Sequence, residues 1–238
     1  MRGDSPDPTT WLYRFFHRVL VPCGARAMCR VEAIGLGNVP AEGPLVVASN
    51  HIDNLDAGAI GFPVARPLHF MGRPEVFREM FRGLFWRRMG VIPADGDGVA
   101  KGIAILRRGG AIAIFPEGVI APALVPARAG LGILAMRAKA TIVPAAISGT
   151  DQVGLPRSLL RPTRVRVQYG EPINAGDWPA GAGKAQDLTD LVMRRIAEML
   201  PPTYRGAYAP GVVGDVGGGA AERPVAGGVE TAEGERAG

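Results

Sequence analysis

The sequence has few cysteines and no long uninterrupted apolar run. Only two cysteines, Cys23 and Cys29, occur among 238 residues, and both fall in a predicted helix. Their spacing matches neither a common zinc motif nor a disulfide framework, so we expect a reducing compartment. We also expect no secretory signal. Arginines, a histidine and a proline interrupt residues 12–30. We therefore expect no transmembrane segment there, since a spanning helix needs about 20 mostly apolar residues.

Aromatic residues are also scarce, at 6% of the chain, and two further classes of protein lack support. The arginines are scattered and no nucleic-acid recognition motif is present, which argues against nucleic-acid binding. No Gly-x-Ser-x-Gly motif occurs, and Ser148 lies within a predicted strand, which argues against a serine hydrolase. The net charge of +5 is then explained by a phosphate-bearing substrate or a membrane surface.

The patterns that are present are typical of an α/β domain. Hydrophobic residues make up 47% of the chain, and apolar runs alternate with amphipathic segments. This alternation predicts a mixed, largely parallel central sheet flanked by helices, with an amphipathic helical segment at the N-terminus. The predicted strands lie within residues 30–40, 43–50, 67–72, 111–115, 141–150 and 163–170, and the predicted helices within residues 74–90, 98–110, 129–140 and 185–200.

Composition divides the chain into three segments. Residues 1–29 form the amphipathic N-terminal segment, in which apolar positions from Trp11 to Leu20 recur at helical spacing. Residues 30–209 form the folded domain. Residues 210–238 are rich in Gly, Ala and Glu and have almost no large apolar side chains, so we expect a disordered tail.

The segment VVASNHIDNLD, residues 46–56, places a histidine just after a buried strand. Ligands of α/β sheets bind beyond the carboxyl ends of the strands, which is where His51 is expected. Asp56 follows five residues later, an offset that rotates about 140° on a continuous helix. The two side chains therefore meet only if the chain turns after His51 and becomes helical near Asp53 or Asp56. The turn-forming residues in this segment permit that geometry.

Such a pair would have a defined chemistry. A carboxylate held against one imidazole nitrogen sets the tautomer and leaves the other nitrogen free to accept a proton. His51 would then act as a general base and Asp56 would orient it. The alternative is a polar strand end with an aspartate nearby by chance, and the pair alone does not decide between the two.

Two later stretches also have notable residues at or inside a predicted strand. Residues 111–118, AIAIFPEG, lead a strand into Pro116, Glu117 and Gly118. Gly118 allows a tight turn, and Glu117 could hydrogen-bond a substrate hydroxyl, although taken singly an ordinary turn with a solvated glutamate fits better. Pro144 lies inside a further predicted strand. Because proline lacks a ladder donor, it predicts a sheet edge or a bulge near a pocket wall.

In this order, NHIDNLD, GVIPADG, FPEG and IVPAAI resemble the motifs of the glycerolipid acyltransferase family, whose best-known members acylate lysophosphatidic acid. The resemblance covers residues 30–170 approximately. It implies that His51 takes a proton from an acceptor hydroxyl and that Asp56 orients His51. The hydroxyl oxygen would attack the thioester of acyl-CoA or of an acyl carrier protein directly, with no covalent acyl-enzyme, no metal and no further cofactor.

The resemblance also implies an acceptor site and favours 1-acylglycerol-3-phosphate as acceptor, with phosphatidic acid as product. The motif residues that it assigns to acceptor binding are Phe115, Pro116, Glu117 and Gly118. Two arginines that family members use near the acceptor's phosphate are replaced here by Gly96 and Ile120. Arg73, in FMGRPE, is the candidate substitute, and Arg128 is a second one. A different lysolipid or a non-phosphorylated acceptor is therefore the alternative.

Lipid substrates imply a membrane surface as a partner. The stripe from Trp11 to Leu20, edged with arginines, is expected to lie in the membrane interface, with core packing as the alternative. For the stripe from Phe77 to Phe85, core packing is favoured over a role in the acyl path. We expect a peripheral or monotopic enzyme at the cytoplasmic face of the cell membrane that uses a lysolipid and either acyl-CoA or acyl carrier protein. A non-catalytic membrane-docking relative is the remaining alternative.

Overall fold

The computed structural model describes residues 29–77, 90–154, 158, 161–181 and 183–212, and these residues fold around a mixed β-sheet. The strands are β1 Cys29–Ile34, β2 Leu45–Ser49, β3 His69–Gly72, β4 Ile92–Pro93, β5 Ala111–Ile114, β6 Thr141–Ser148, β7 Thr163–Tyr169 and β8 Ile173–Asn174. The helices are α1 Asp56–Gly61, α2 Gly96–Arg107, α3 Gly130–Ala138 and α4 Lys184–Met199. Short 3-10 turns occur in several of the connections.

The strands follow the order β1-β7-β6-β2-β5-β3-β4, and β8 pairs with the first residues of β6. Strands β2 to β6 run parallel to one another, as do β1 and β7, whereas β6 pairs with β7 and β8 in antiparallel fashion. The predicted mixed, largely parallel sheet is confirmed. Because β2 to β6 are parallel, their carboxyl ends meet at one side of the sheet, which we call the carboxyl edge.

Apolar side chains cover both faces of the sheet. All five residues of β2 are buried, which explains why this strand is a continuous apolar run rather than an alternating pattern. Helices α2, α3 and α4 pack on one face, where Leu134 and Met193 join Ile142 in a buried cluster. Helix α1 packs on the other face, where Ile60 lies in a cluster with Val167. Because apolar side chains pack on both faces of the sheet, the strand ends at the carboxyl edge are fixed relative to one another.

Helix α2 begins at the carboxyl edge, directly after β4. The side chain of Asp95 caps it by accepting a hydrogen bond from the Gly98 amide (2.7 Å), as expected for an N-cap aspartate. A Cβ atom at Gly98 would lie 1.5 Å from the carbonyl oxygen of Pro93, so only glycine fits there. Gly96, which replaces one of the family's usual arginines, is the first residue of this helix.

The prediction that places Cys29 in a helix is wrong. Cys29 is the first residue of β1 and pairs with Thr163 of β7. From Cys29 onward the side chains alternate between buried or half-buried and exposed positions, which is the period of a strand. The helical spacing of the preceding apolar residues masks this change of period in the sequence.

The prediction that Pro144 marks a sheet edge or a bulge is also wrong. Pro144 lies in the central strand β6, opposite Ala48 of β2, and its carbonyl oxygen accepts the Gly170 amide (2.8 Å). The N and C=O groups of one strand residue point to the same side. The nitrogen of Pro144, which carries no hydrogen, therefore faces the gap where β6 changes its partner from β8 to β7. The proline consequently interrupts no hydrogen-bonded pair of strand residues.

Several predictions concern residues that the structure does not describe. These are the amphipathic segment at residues 1–28, residues 78–89 of the predicted helix 74–90, and residues 213–238 of the predicted tail. The described start of helix 74–90 is a 3-10 turn at Pro74–Phe77. Within the described part of the chain, no helix is long and apolar enough to cross a bilayer. The domain bounds of 30–209 stay a prediction.

Candidate active site

The turn between β2 and α1 brings His51 and Asp56 together. Asp53 Oδ1 accepts the Leu55 amide (2.9 Å), the Asp53 carbonyl accepts the Asp56 amide (3.2 Å), and α1 begins at Asp56. His51 Nδ1 consequently lies 2.8 Å from Asp56 Oδ2. The condition for the two side chains to meet, a turn after His51 and a helix that begins near Asp53 or Asp56, is met.

The carboxylate of Asp56 is fully buried and surrounded by donors. Oδ2 accepts the backbone amides of Ile52 (2.7 Å) and Asp53 (2.9 Å), in addition to His51 Nδ1. Oδ1 accepts the hydroxyl of Thr150 (2.6 Å). Because an ionised carboxylate only accepts hydrogen bonds, this geometry favours the tautomer of the neutral His51 imidazole with the proton on Nδ1 and the lone pair on Nε2.

The ring of His51 is held on one face by an aromatic side chain. Phe115 stacks on it with ring centroids 3.9 Å apart and an interplanar angle of 10°. The side chain of His51 is 18% exposed, so the imidazole is reachable from solvent, whereas Asp56 is not. A partly exposed imidazole that is oriented by a buried carboxylate is suited to taking a proton from a substrate.

Glu117 ties the loop after β5 to the backbone of His51. Its Oε1 accepts the His51 amide (3.2 Å) and its Oε2 accepts the Val125 amide (2.8 Å). The carbonyl of His51 in turn accepts the Ala121 amide (2.9 Å). Burial raises the pKa of Glu117 to about 7, against the opposing effect of the two amide hydrogen bonds. The loop therefore holds His51 through both of its main-chain groups.

The structure gathers His51, Asp56, Phe115 and Glu117 at the carboxyl edge. Glu117 points inward to backbone amides instead of being solvated. The acceptor-binding role predicted for Phe115, Glu117 and their two neighbours in the motif stays a prediction. Within the described residues, no group of three or more His, Cys, Asp or Glu side chains could hold a metal ion.

The other predicted acceptor residues lie around this cluster. Pro116 is buried, and its carbonyl accepts the amide of Arg128 (3.3 Å). Gly118 adopts a positive φ of 66° and its amide bonds to the Phe115 carbonyl (3.0 Å), which confirms the predicted tight turn. Arg73 is exposed directly after β3, so its main chain is at the same edge of the sheet.

Two residues of the site were not identified from the sequence. Thr150 follows β6 and contacts Asp56. Asn50 bonds through its side chain to both main-chain groups of Ile147. The sequence contains one signal for Thr150. It comes two residues after Ser148, the last residue of the parallel strand β6, and therefore lies at the same edge of the sheet as His51. No local pattern distinguishes it from other threonines.

A buried aspartate lies against a partly exposed histidine at the carboxyl edge of a largely parallel sheet, an arrangement typical of α/β enzymes that use a general base. The family model described as Acyltransferase matches residues 30–148, which is half of the 238 residues. The chain therefore belongs to the acyltransferase family and is an enzyme of this kind. The resemblance drawn from the sequence motifs is confirmed at the level of the family.

Two relatives agree with this assignment. The chain is 26% identical over 177 residues to the 1-acyl-sn-glycerol-3-phosphate acyltransferase of Bacillus subtilis, covering 71% of this chain and 87% of that protein. It is also similar to the crystal structure of the 1-acyl-sn-glycerophosphate acyltransferase of Thermotoga maritima, with a TM-score of 0.62, 19% identity, and coverage of 79% of this chain and 80% of that one. At this level of identity the structural likeness concerns the fold alone.

Proposed function

We propose that the protein moves a fatty acyl group from a thioester to the free hydroxyl of a glycerolipid. The leading acceptor is 1-acylglycerol-3-phosphate, which would give phosphatidic acid in phospholipid synthesis. The observation that carries the proposal is the 2.8 Å contact between His51 Nδ1 and the buried Asp56 carboxylate. The Bacillus subtilis relative and the Thermotoga maritima protein are both acyltransferases named for such an acceptor, which supports the choice of substrate.

The chemistry follows from the orientation of the imidazole. His51 Nε2 accepts the proton of the acceptor hydroxyl while that oxygen attacks the thioester carbonyl carbon. Asp56 stabilises the imidazolium that forms. The C–S bond then breaks as the C–O bond is retained, and the departing thiolate takes the proton from the imidazolium. Acyl-CoA and acyl carrier protein present the same thioester, so either donor fits this sequence, without a covalent acyl-enzyme.

The acceptor's phosphate would need a cationic partner other than the usual two arginines. Arg73 and Arg128 are both exposed and both attach to the carboxyl edge, one after β3 and one through the Pro116 carbonyl. Within the described residues Arg73 forms no hydrogen bond or ion pair with another side chain, so its guanidinium is available as a bidentate partner of phosphate. A lysolipid with another headgroup, or a non-phosphorylated acceptor, is the second candidate.

A membrane surface is part of the proposed function, because a lysolipid is delivered from a bilayer. Leu55 is 45% exposed and Ile120 is 43% exposed. Leu55 directly precedes Asp56, and Ile120 directly precedes Ala121, whose amide binds the His51 carbonyl. Two large apolar side chains thus lie exposed on the loops beside the histidine, as suits a peripheral or monotopic enzyme at the cytoplasmic face of the cell membrane.

The decisive experiment supplies both donors and several acceptors. Purified full-length protein is incubated with labelled acyl-CoA or acyl carrier protein and with lysophosphatidic acid, other lysophospholipids or a monoacylglycerol, and the products are identified by mass. Acylation of lysophosphatidic acid well above all other acceptors is expected. Preference for another acceptor would replace the phosphatidic acid assignment. Vesicle binding with no acylated product from any pair would instead indicate a docking protein.

A further inference from the structure

Asp56 receives hydrogen bonds from two parts of the chain. Three donors, the amides of Ile52 and Asp53 and the ring of His51, belong to the same loop and all bind Oδ2. The second oxygen, Oδ1, accepts the hydroxyl of Thr150 at 2.6 Å, from a residue 94 positions away. The carboxylate turns about its Cβ–Cγ bond, and this rotation moves both oxygens together. The Thr150 contact restrains the rotation at Oδ1, from a part of the chain outside the histidine loop.

The fold delivers Thr150 to this point through a turn that requires glycine. Strand β6 ends at Ser148, and Gly149 adopts a φ of 90°. A Cβ atom at Gly149 would lie 2.4 Å from the carbonyl oxygen of Arg164, so neither the backbone angle nor the space accommodates another residue. A 3-10 turn then begins at Thr150, whose side chain is buried, with 1% of the residue exposed.

We propose that Thr150 is a positioning residue for acyl transfer. Its hydroxyl holds the Asp56 carboxylate in the plane that keeps Nδ1 of His51 protonated and Nε2 directed at the acceptor hydroxyl. This inference rests on the proposed function of His51 as the base. Thr150 does not touch the substrate in this role. Its removal lowers the turnover number and leaves the binding of both substrates unchanged, because no substrate contact is lost.

Three variants separate this role from simple packing. Thr150→Val keeps the volume but removes the donor, and its kcat is expected to fall about tenfold, as for loss of a hydrogen bond to a charged group. KM for both substrates stays the same. Thr150→Ser restores the hydroxyl and is expected to recover most of kcat. If the valine variant does not fold, Thr150→Ala tests the same loss with less crowding.

Thr189 provides the matched control. It is also a fully buried threonine whose hydroxyl accepts the Gly132 amide (3.1 Å) and donates to the Ala185 carbonyl (2.9 Å), but it lies in α4. Thr189→Val is expected to lower the melting temperature without changing kcat. Equal kcat in wild-type protein and Thr150→Val, or an equal loss of kcat in Thr189→Val and Thr150→Val, would overturn the proposal.

A spectroscopic measurement tests Thr150 without relying on activity. The Nδ1 proton of His51 is observed by NMR in the full-length chain labelled with nitrogen-15 in histidine, and is assigned by its absence in His51→Ala. Thr150→Val is expected to shift or broaden this resonance, whereas Thr150→Ser and Thr189→Val leave it in place. If wild-type protein acylates no acceptor, the proposed function fails, and an unperturbed resonance in Thr150→Val separately overturns the role of Thr150.

Discussion

The side chain of Asn50 bonds to both main-chain groups of Ile147. Nδ2 donates to the carbonyl oxygen (2.9 Å) and Oδ1 accepts from the amide (2.8 Å). Since Asn50 is the residue before His51 and Ile147 lies near the end of β6, the side chain continues the pairing of β2 and β6 past Ser49. Together with the Asp56–Thr150 contact, it joins β6 to the histidine loop on both sides of His51.

Substitution of Asn50 by leucine should destabilise the fold. Leucine has a similar volume but leaves the buried N–H and C=O of Ile147 without these partners, at a cost of about 1–3 kcal/mol for each group. Urea unfolding of wild-type and variant protein measures the loss. Asn174→Ala is the control, because Asn174 is exposed and caps a short turn, so its loss should cost about 1 kcal/mol. Equal losses in the two variants would show that the Ile147 contacts contribute little.

Replacing His51 by asparagine should remove the base, whereas the side-chain amide of asparagine can still donate a hydrogen bond to Asp56. We expect kcat to fall by roughly 10²–10⁴-fold with little change in the melting temperature. His69→Asn is the matched control: the other described histidine is buried, its Nδ1 bonds to the Gly90 carbonyl, and asparagine can supply a similar donor. Initial rates of acyl transfer, measured with saturating acyl donor, test this expectation. Retained turnover in His51→Asn would remove the general-base mechanism.

Glu117 should make stability depend on pH. Burial raises its folded-state pKa to about 7, from an ordinary value of 4.5. The folded protein then holds a proton that the unfolded chain has lost between these values, so the free energy of unfolding falls as pH rises from 4.5 to 7. The full effect of such a shift is roughly 3 kcal/mol. The contribution is complete below pH 4.5 and absent above pH 7.

Glu117→Gln removes this titration. Urea unfolding at several pH values should show that the difference in stability between wild type and variant changes across this range. Glu171→Gln, at an exposed position, should run parallel to wild type at every pH. If Glu117→Gln also runs parallel to wild type, burial does not perturb this carboxyl group.

The exposed apolar side chains beside the site should contribute to membrane binding. Leu55→Glu and Ile120→Glu each remove apolar surface that would enter the lipid, so the affinity for anionic phospholipid vesicles should fall roughly tenfold in each variant. Leu36→Glu is the control, since Leu36 is 38% exposed but follows β1 at the opposite edge of the sheet. Vesicle sedimentation measures binding. An equal loss in Leu36→Glu would indicate a nonspecific effect of added negative charge.

Arg73 and Arg128 should bind the phosphate of the acceptor. Glutamine at either position is expected to raise KM for lysophosphatidic acid by about tenfold, because a charge-assisted hydrogen bond is lost. KM for a monoacylglycerol should not change, since that acceptor has no phosphate. Arg195→Gln on α4, where Arg195 pairs with Glu198 (3.1 Å), is the control. Unchanged KM for both acceptors in the Arg73 and Arg128 variants would assign the phosphate to other residues.

Much of the fold could be predicted because its elements have strong local periods. Strands β2, β3 and β5 to β7 and helices α2 to α4 coincide with predicted segments, since buried strands are short apolar runs and the helices repeat apolar positions at 3.6-residue spacing. The two-residue strands β4 and β8 are too short to show any period. Cys29 and Pro144 were misassigned because the period changes near Cys29, and because the partner of β6 changes beside Pro144.

The pairing of His51 with Asp56 was within reach of the sequence because both residues belong to one short turn, where strand end, turn residues and helix start follow in order. The direction of Glu117 was not, since it depends on amides of His51 and Val125 that come from two different loops. The local sequence pattern therefore predicts the reacting side chains, but it does not predict the hydrogen bonds from other loops that hold them in place.

The amino-acid sequence by itself determined the kind of chemistry: an imidazole and a carboxylate at a strand end, and motifs of a family that transfers acyl groups. Only the tertiary structure decided how that imidazole is held. Thr150 donates a hydrogen bond to Asp56, the side chain of Asn50 bonds to the main chain of Ile147, and Glu117 accepts the amide of His51. The physical reason is that hydrogen bonds between distant residues form only when packing on both faces of the sheet brings β6 and the loop after β5 to the end of β2.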